Sequence, residues 1–217
     1  MNFSISYMEY LILALPFLIS VFLGKSIIPY ILLITYKKRL FDPIDARKIH
    51  NTVIPRLGGL AFMPIQLCLL ATSIVVIYNF GLEDDFSSSI VTWKILPMFV
   101  VWAVGIVMLF IVGVADDLIH VHYKWKFIVQ TLAAALFPIG GLWINDLYGF
   151  FFIIEIPYWL GASLTVFATV LIINAINLID GLDGLCSGLV CVSCLVMGGL
   201  FLYNGAWIHT LLAWITA

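Results

Sequence analysis

Long apolar runs alternate with short polar segments along the whole chain. A helix needs about 20 residues to cross the roughly 30 Å hydrocarbon core of a membrane. Six runs reach about that length, so the pattern predicts an all-α, polytopic membrane helix bundle. The fourth run is marginal on its own and requires neighbouring helices. The runs are 10–36, 58–79, 93–114, 127–144, 158–178 and 185–203.

Two further segments carry predictions of their own. The last apolar run, 206–217, has twelve residues and reaches only about 18 Å as a helix. We therefore expect a truncated seventh helix in a single transmembrane domain, 1–217, that is C-terminally incomplete and inactive alone. Residues 145–157 are aromatic and β-branched around a glycine. This composition favours a short β-hairpin at the surface of the membrane, on its outer side.

The composition agrees with a membrane protein. The chain is 64% hydrophobic and 10% charged, whereas soluble domains carry about 25% charged residues. The first cationic residue, Lys25, comes after the first apolar run has begun, so no cleavable signal peptide is expected. We expect no nucleic-acid partner.

The positive charges predict the orientation of the helices. Cytoplasmic loops are enriched in Lys and Arg, and the loops after the first and third runs are basic, whereas the loop after the second is acidic. The N-terminus is therefore expected outside, and the loops after runs one, three and five are expected in the cytoplasm. The basic residues are Lys37, Lys38, Arg39, Arg47, Lys48 and Arg56 in the first loop, and Lys124 and Lys126 in the third.

A polar stretch separates the last two full runs. It contains two amides, Asn174 and Asn177, and two carboxylates, Asp180 and Asp183, and Gly181 lets a ligand approach the backbone. Hard oxygen ligands suit Mg²⁺ and phosphate better than a soft metal. Polar groups at the end of a membrane span therefore indicate a site, although a plain polar loop is the alternative.

A basic cluster precedes the second run. Lys48, His50 and Arg56 are followed by Gly58 and Gly59 at the start of that run. Cations and helix N-termini bind phosphate. An ordinary cytoplasmic anchor with a Pro/Gly turn explains the same charges.

An acidic pair, Asp116 and Asp117, ends the third run, and Lys126 follows in the next loop. Adjacent carboxylates at a helix C-terminus oppose the helix dipole and repel each other, which a bound cation or a proton would relieve. The nearby His120 and His122 lack the spacing of a zinc site.

Together the three clusters provide carboxylates and amides for a metal ion and cations for phosphates at one membrane face. That combination indicates phosphoryl transfer, in which catalysis rests on positioning and charge neutralisation, with a lipid as one substrate. An ion-coupled transporter is the competing class, but it would place acids near the middle of the spans.

The motifs R-K-I-H with P-R-L-G-G, A-D-D and N-A-I-N-L-I-D-G-L-D-G-L closely resemble the polyprenyl-phosphate N-acetylhexosamine-1-phosphate transferases of bacterial inner membranes. The resemblance implies that a UDP-N-acetylhexosamine, expected to be UDP-GlcNAc, and undecaprenyl phosphate give undecaprenyl-diphospho-sugar and UMP. It implies Mg²⁺, with Mn²⁺ as a substitute, a cytoplasmic active site and a role in cell-surface glycan assembly. The first motif separates this branch from the phospho-MurNAc-pentapeptide transferases, which stay an alternative.

The same resemblance assigns roles to individual residues. Asp116 and Asp117 would be the catalytic carboxylates that engage or deprotonate the lipid phosphate. Asn177, with Asp117, would bind Mg²⁺. The substrate-binding residues would be Lys126 at the pyrophosphate, Gly181 and Asp183 at the uridine, Asp180 beneath them, and Lys48, His50 and Arg56 of the first motif.

Two departures from the family pattern leave alternatives open. His120 stands where the family often has a third acid, and the family continues with a G-D-x-G-S segment and a His-rich loop beyond the motifs found here. An inactive remnant of such a transferase is therefore a second reading. The sequence does not decide whether the protein forms a homodimer.

Overall fold

The structure is a computed structural model, and it describes residues 7–41, 57–79, 96–149, 155–180 and 184–217. The described part confirms the all-α prediction. The helices are α1 Tyr7–Lys38, α2 Phe62–Asn79, α3 Leu96–Ile119, α4 Tyr123–Ile139, α5 Tyr158–Ile179, α6 Leu185–Tyr203 and α7 Trp207–Thr216, and a 3-10 turn, Gly58–Ala61, precedes α2.

Five helices within the described ranges are long and apolar enough to cross a membrane. These confirm a polytopic membrane protein, while α4 with 17 residues is about 25 Å long, so a sixth full span stays a prediction. The five spans are Leu11–Lys38, Gly58–Ile77, Pro97–Ile119, Tyr158–Ile179 and Leu185–Tyr203.

The fourth helix differs from its predicted position. It begins at Tyr123 rather than near 127, because the His122 imidazole accepts a hydrogen bond from the Lys124 backbone N–H at 3.4 Å and caps the first turn. It ends before Gly141, whose φ of +88° glycine adopts without steric cost. The prediction that Lys124 and Lys126 lie in a loop is therefore wrong, since both belong to the first turns of α4.

The described residues form two compact units. The first unit holds α1, α2, α6 and α7, and its interior contains the fully buried Leu13, Ile77 and Leu211. In the same unit α6 and α7 meet closely at Gly198, where a Cβ would lie 2.3 Å from the indole nitrogen of Trp214. The prediction of a single domain remains a prediction.

The second unit consists of α3, α4 and α5, and α4 packs against both other helices. Small buried residues, Ala133 and Ala134, allow the close packing of α4. Gly161 of α5 fits against the chain after α4, because a Cβ there would lie 2.2 Å from the Ile144 carbonyl oxygen. The three-residue connection 120–122 turns α4 back along α3.

The predicted β-hairpin lies only partly within the described residues. An antiparallel bridge joins Asp146 and Glu155, and the Ile156 N–H donates to the Asn145 carbonyl at 3.0 Å. Residues 150–154 lie outside the described ranges, so the hairpin stays a prediction.

Candidate functional site

One end of the second unit gathers polar side chains from all three of its helices. Asp116 lies in the last turn of α3, Lys126 in the first turns of α4, and Asn177 in the last turn of α5. Lys126 contacts Asp116 and lines the same cavity as Asn177. The structure therefore links Asp116 of the acidic pair to Asn177 of the polar stretch through Lys126.

Asp116 is held by groups of the chain itself. Its Oδ1 accepts a hydrogen bond from the Val121 backbone N–H at 3.1 Å, and its Oδ2 accepts one from the Lys126 ammonium at 2.5 Å. The two side chains are 31% and 33% exposed, and such partly exposed ion pairs contribute about 0–1 kcal/mol to stability. The pair therefore matters mainly because it fixes the α3–α4 connection and the position of the Lys126 ammonium.

Asp117 occupies a different position on α3. Neighbouring residues of a helix point about 100° apart, so the two carboxylates do not face the same direction. Asp117 is half-buried. The acidic pair is thus divided between a carboxylate bound to Lys126 and a second carboxylate on another side of the helix.

A cavity of about 550 Å³ opens between the start of α4 and the end of α5. Its volume lies in the range of small-molecule sites. Two ammonium groups and three amide side chains contribute to its wall, which suits an anionic ligand. The lining residues are Tyr123, Lys124, Lys126, Phe127, Ile128, Gln130, Asn174 and Asn177.

Two polar residues in this wall had no role in the sequence-based prediction. Gln130 received none, and Asn174 was only part of the polar stretch. The Asn174 Nδ2 donates to the Gln130 Oε1 at 3.0 Å and to the Val170 carbonyl at 2.8 Å. The available signals were a lone glutamine in an apolar run and the three-residue spacing of Asn174 and Asn177, which places both on one face of α5.

The residues fit Mg²⁺ in part. Asn177 and Asp117 offer the amide and carboxylate oxygens that Mg²⁺ prefers, and Mg²⁺ usually keeps several waters and substrate oxygens besides one or two protein ligands. Both oxygens of Asp116 are already engaged. Within the described ranges, no three His, Cys, Asp or Glu residues cluster as a metal site. The second unit thus offers two oxygen ligands of suitable type, of which Asn177 lines the cavity and Asp117 does not.

A second, mainly apolar groove of about 580 Å³ lies along α4 and α5. Phe127 belongs to both cavities, and the groove reaches Ile139, twelve residues further along α4, which is about 18 Å. Val166 and Phe167 line its α5 side. A polar cavity that shares a wall residue with an apolar groove suits an amphipathic molecule.

Of the remaining predicted site residues, Asp180 lies within the described ranges and does not line the cavity. Asp180 caps the C-terminus of α5, where its backbone N–H donates to the Ile176 carbonyl at 3.1 Å, and its side chain is exposed. The other predicted residues lie outside the described ranges: Lys48, His50, Arg56, Gly181 and Asp183.

Comparison with known proteins agrees with these features. A family model described as glycosyl transferase family 4 matches residues 98–217. The chain is 31% identical to a probable undecaprenyl-phosphate N-acetylglucosaminyl 1-phosphate transferase of Bacillus subtilis, over 82% of this chain and 45% of the relative.

Two enterobacterial proteins named undecaprenyl-phosphate alpha-N-acetylglucosaminyl 1-phosphate transferase are also similar. The relative from Yersinia pestis is 29% identical over 79% of this chain and 42% of its own length. The relative from Salmonella typhi is 30% identical over 90% of this chain and 49% of its own length. The chain spans about half the length of the curated relatives it matches.

Proposed function

Because the chain belongs to glycosyl transferase family 4, we propose that its protein transfers N-acetylhexosamine 1-phosphate from a UDP-sugar to undecaprenyl phosphate. The lipid phosphate oxygen attacks the β-phosphorus, the one bound to the sugar, and UMP leaves with the electrons of the broken P–O bond. The products are undecaprenyl-diphospho-sugar and UMP, and the sugar is GlcNAc. The observation that carries this proposal is a polar cavity and an apolar groove that share Phe127 in their walls.

The polar cavity suits the phosphates of both substrates. Lys124 and Lys126 line it, and ammonium groups bind phosphate oxygens through charge-assisted hydrogen bonds. Asp116 holds the Lys126 ammonium at one place, so less conformational entropy is lost when a phosphate binds. Bound Mg²⁺ would neutralise charge on the diphosphate, with Asn177 and Asp117 as its protein ligands.

The apolar groove suits the hydrocarbon tail of the acceptor. A polyprenyl chain gains about 25 cal/mol for each Å² of apolar surface that it removes from water, but in a bilayer its tail is already solvated by lipid. The groove therefore orients the lipid more than it increases the affinity for it. A tail bound in the groove places the lipid phosphate at the polar cavity, because Phe127 lines both.

The acidic pair divides two tasks in this proposal. Asp116 positions Lys126, because both of its oxygens are bound by the chain. Asp117 engages the phosphate of the acceptor lipid and takes its proton. The polar end of the second unit lies at the cytoplasmic face of a bacterial inner membrane, and UDP-sugars are present in the cytoplasm.

The test is release of UMP in nanodiscs that contain undecaprenyl phosphate, UDP-GlcNAc and Mg²⁺. Two proteins are compared, namely the 217-residue chain and the same chain fused to the part of the Bacillus subtilis relative that it does not match. Equal amounts of UMP and lipid-linked GlcNAc, both dependent on the acceptor lipid, are expected from the fusion. A folded fusion that releases no UMP, or that releases it without the lipid, contradicts the proposal.

A further inference from the structure

A hydrogen bond between two amide side chains joins α4 to α5 beside the polar cavity. The Asn174 Nδ2 lies 3.0 Å from the Gln130 Oε1 and 2.8 Å from the Val170 carbonyl oxygen. A backbone carbonyl can only accept a hydrogen bond, so the Asn174 group that faces it must be the NH₂. Gln130 must then present its oxygen to the same NH₂.

These contacts leave one hydrogen-bonding atom of Asn174 open. Both N–H bonds of its amide are engaged, and no residue within the described ranges donates to its Oδ1. Asn174 and Asn177 stand three residues apart on α5, and both line the cavity with Lys126. The Asn174 Oδ1 is therefore a second amide oxygen at the wall to which Asn177 belongs.

The geometry points to Gln130 as a positioning residue that fixes the Asn174 amide with its oxygen available to a ligand in the cavity. Without the Gln130 oxygen, only the hydrogen bond to the Val170 carbonyl holds this orientation. A half-turn that presents the NH₂ to the cavity then breaks one hydrogen bond instead of two. The cavity wall would then present a second hydrogen-bond donor beside the Lys126 ammonium. The proposed reaction needs an acceptor at this place, for a donor such as a water on the metal ion of the bound substrate. This role rests on the proposed function.

Four variants test the inference. Gln130→Leu and Gln130→Met remove the acceptor, whereas Gln130→Glu keeps it. Gln66→Leu is a matched control, since Gln66 is also a membrane-helix glutamine bonded through its Nε2, to Thr216, but belongs to the first unit. The first readout is the side-chain amide signal of Asn174 in ¹⁵N-asparagine-labelled protein in nanodiscs, assigned by its loss in Asn174→Asp.

Two slowly exchanging, inequivalent N–H signals are expected in the wild type, in Gln130→Glu and in Gln66→Leu. In Gln130→Leu and Gln130→Met these signals should shift together and exchange faster with solvent. In the UMP-release assay kcat should fall about three- to tenfold in the same two variants, the range that one neutral hydrogen bond supplies. The KM for undecaprenyl phosphate should stay unchanged, because Gln130 does not line the apolar groove.

Unchanged Asn174 signals in Gln130→Leu overturn the inference, as does an equal loss of kcat in Gln66→Leu. Shifted signals with unaltered kcat also overturn it, because the amide would then be fixed without any use in turnover. If no protein, including the wild-type fusion, turns over, the proposed transfer reaction fails, whereas the amide signals still decide whether Gln130 fixes Asn174.

Discussion

Replacing the two adjacent carboxylates of α3 separately should have very different effects on turnover. Asp117→Asn removes a charge that the proposed reaction uses directly at the lipid phosphate. Loss of one electrostatic contact in a transition state costs about 2.7–4 kcal/mol, or 10²–10³ in kcat. We expect a loss of that size with folding unchanged, as measured by circular dichroism and size-exclusion chromatography.

Asp116→Asn should be milder, because its partners are groups of the chain. The new amide oxygen still accepts the Val121 N–H, and only the ion pair with Lys126 is lost. Pairs of this exposure are worth about 0.2–1 kcal/mol, so we expect kcat to fall by about fivefold or less. The assay is UMP release with saturating undecaprenyl phosphate.

A double-mutant cycle checks that Asp116 acts through Lys126. Lys126→Met should lose turnover by about 10²-fold through its lost phosphate contact. Adding Asp116→Asn to it should cause no further loss, since the positioned group is already gone. Equal losses in the two single aspartate variants, or additive losses in the double variant, would refute the division of roles.

Four further predictions follow from the structure. Asn177→Ala should lower turnover about 10²–10³-fold and raise the Mg²⁺ concentration for half-maximal rate, as a Mg²⁺ titration measures. Ala162→Trp should fill the apolar groove and raise the KM for undecaprenyl phosphate but not for UDP-GlcNAc. An undecaprenyl-phosphate KM equal to that of the wild type would contradict lipid binding in the groove. Gly161→Leu should destabilise the protein by about 1–3 kcal/mol through overpacking, seen as a lower Tm in detergent, whereas Gly188→Leu should not, because nothing lies within 4 Å of a Cβ at Gly188. A cysteine at position 122 in a Cys-free protein should react with reagents only from the cytoplasmic side; labelling from outside intact cells would overturn the orientation.

Two of the helices were predicted closely from hydrophobicity. The run 158–178 became Tyr158–Ile179, and the run 185–203 became Leu185–Tyr203. Pro157 precedes the first of these helices and the polar Asp180 follows it, so composition changes sharply where the helix ends. A hydropathy pattern is enough to place the ends of helices with such sharp boundaries.

The helix that forms the centre of the candidate site was predicted to begin about four residues too late along the chain. Lys124, Lys126 and Gln130 are polar because they line the cavity, yet they lie in α4. Hydropathy counts such residues as evidence against a membrane helix, so the run began too late along the chain. Function thus conflicts with the local pattern at the site itself.

The bond between Gln130 and Asn174 was beyond prediction for a different reason. The two residues are 44 positions apart, and they meet only because of how α4 and α5 are rotated against each other. Periodicity within one helix does not determine that rotation, which depends on the packing of both helices. The acidic pair was found in advance because its two members are adjacent in sequence, but the contacts of Asp116 with Val121 and Lys126 were not predicted.

The arrangement of polarity in the second unit favours chemistry at the membrane surface over ion transport. A transporter needs polar or charged groups near the middle of the bilayer. In α4 the residues after Gln130 carry no charge, and the same holds for α5 before Asn174. The groove between them is lined mainly by apolar groups such as Phe167 and Val170, together with the hydroxyls of Thr131, Tyr158 and Ser163. An ion moving along it would lose its hydration and gain few ligands in return. A hydrocarbon tail meets no such cost there, and its charged head would lie beside Lys126.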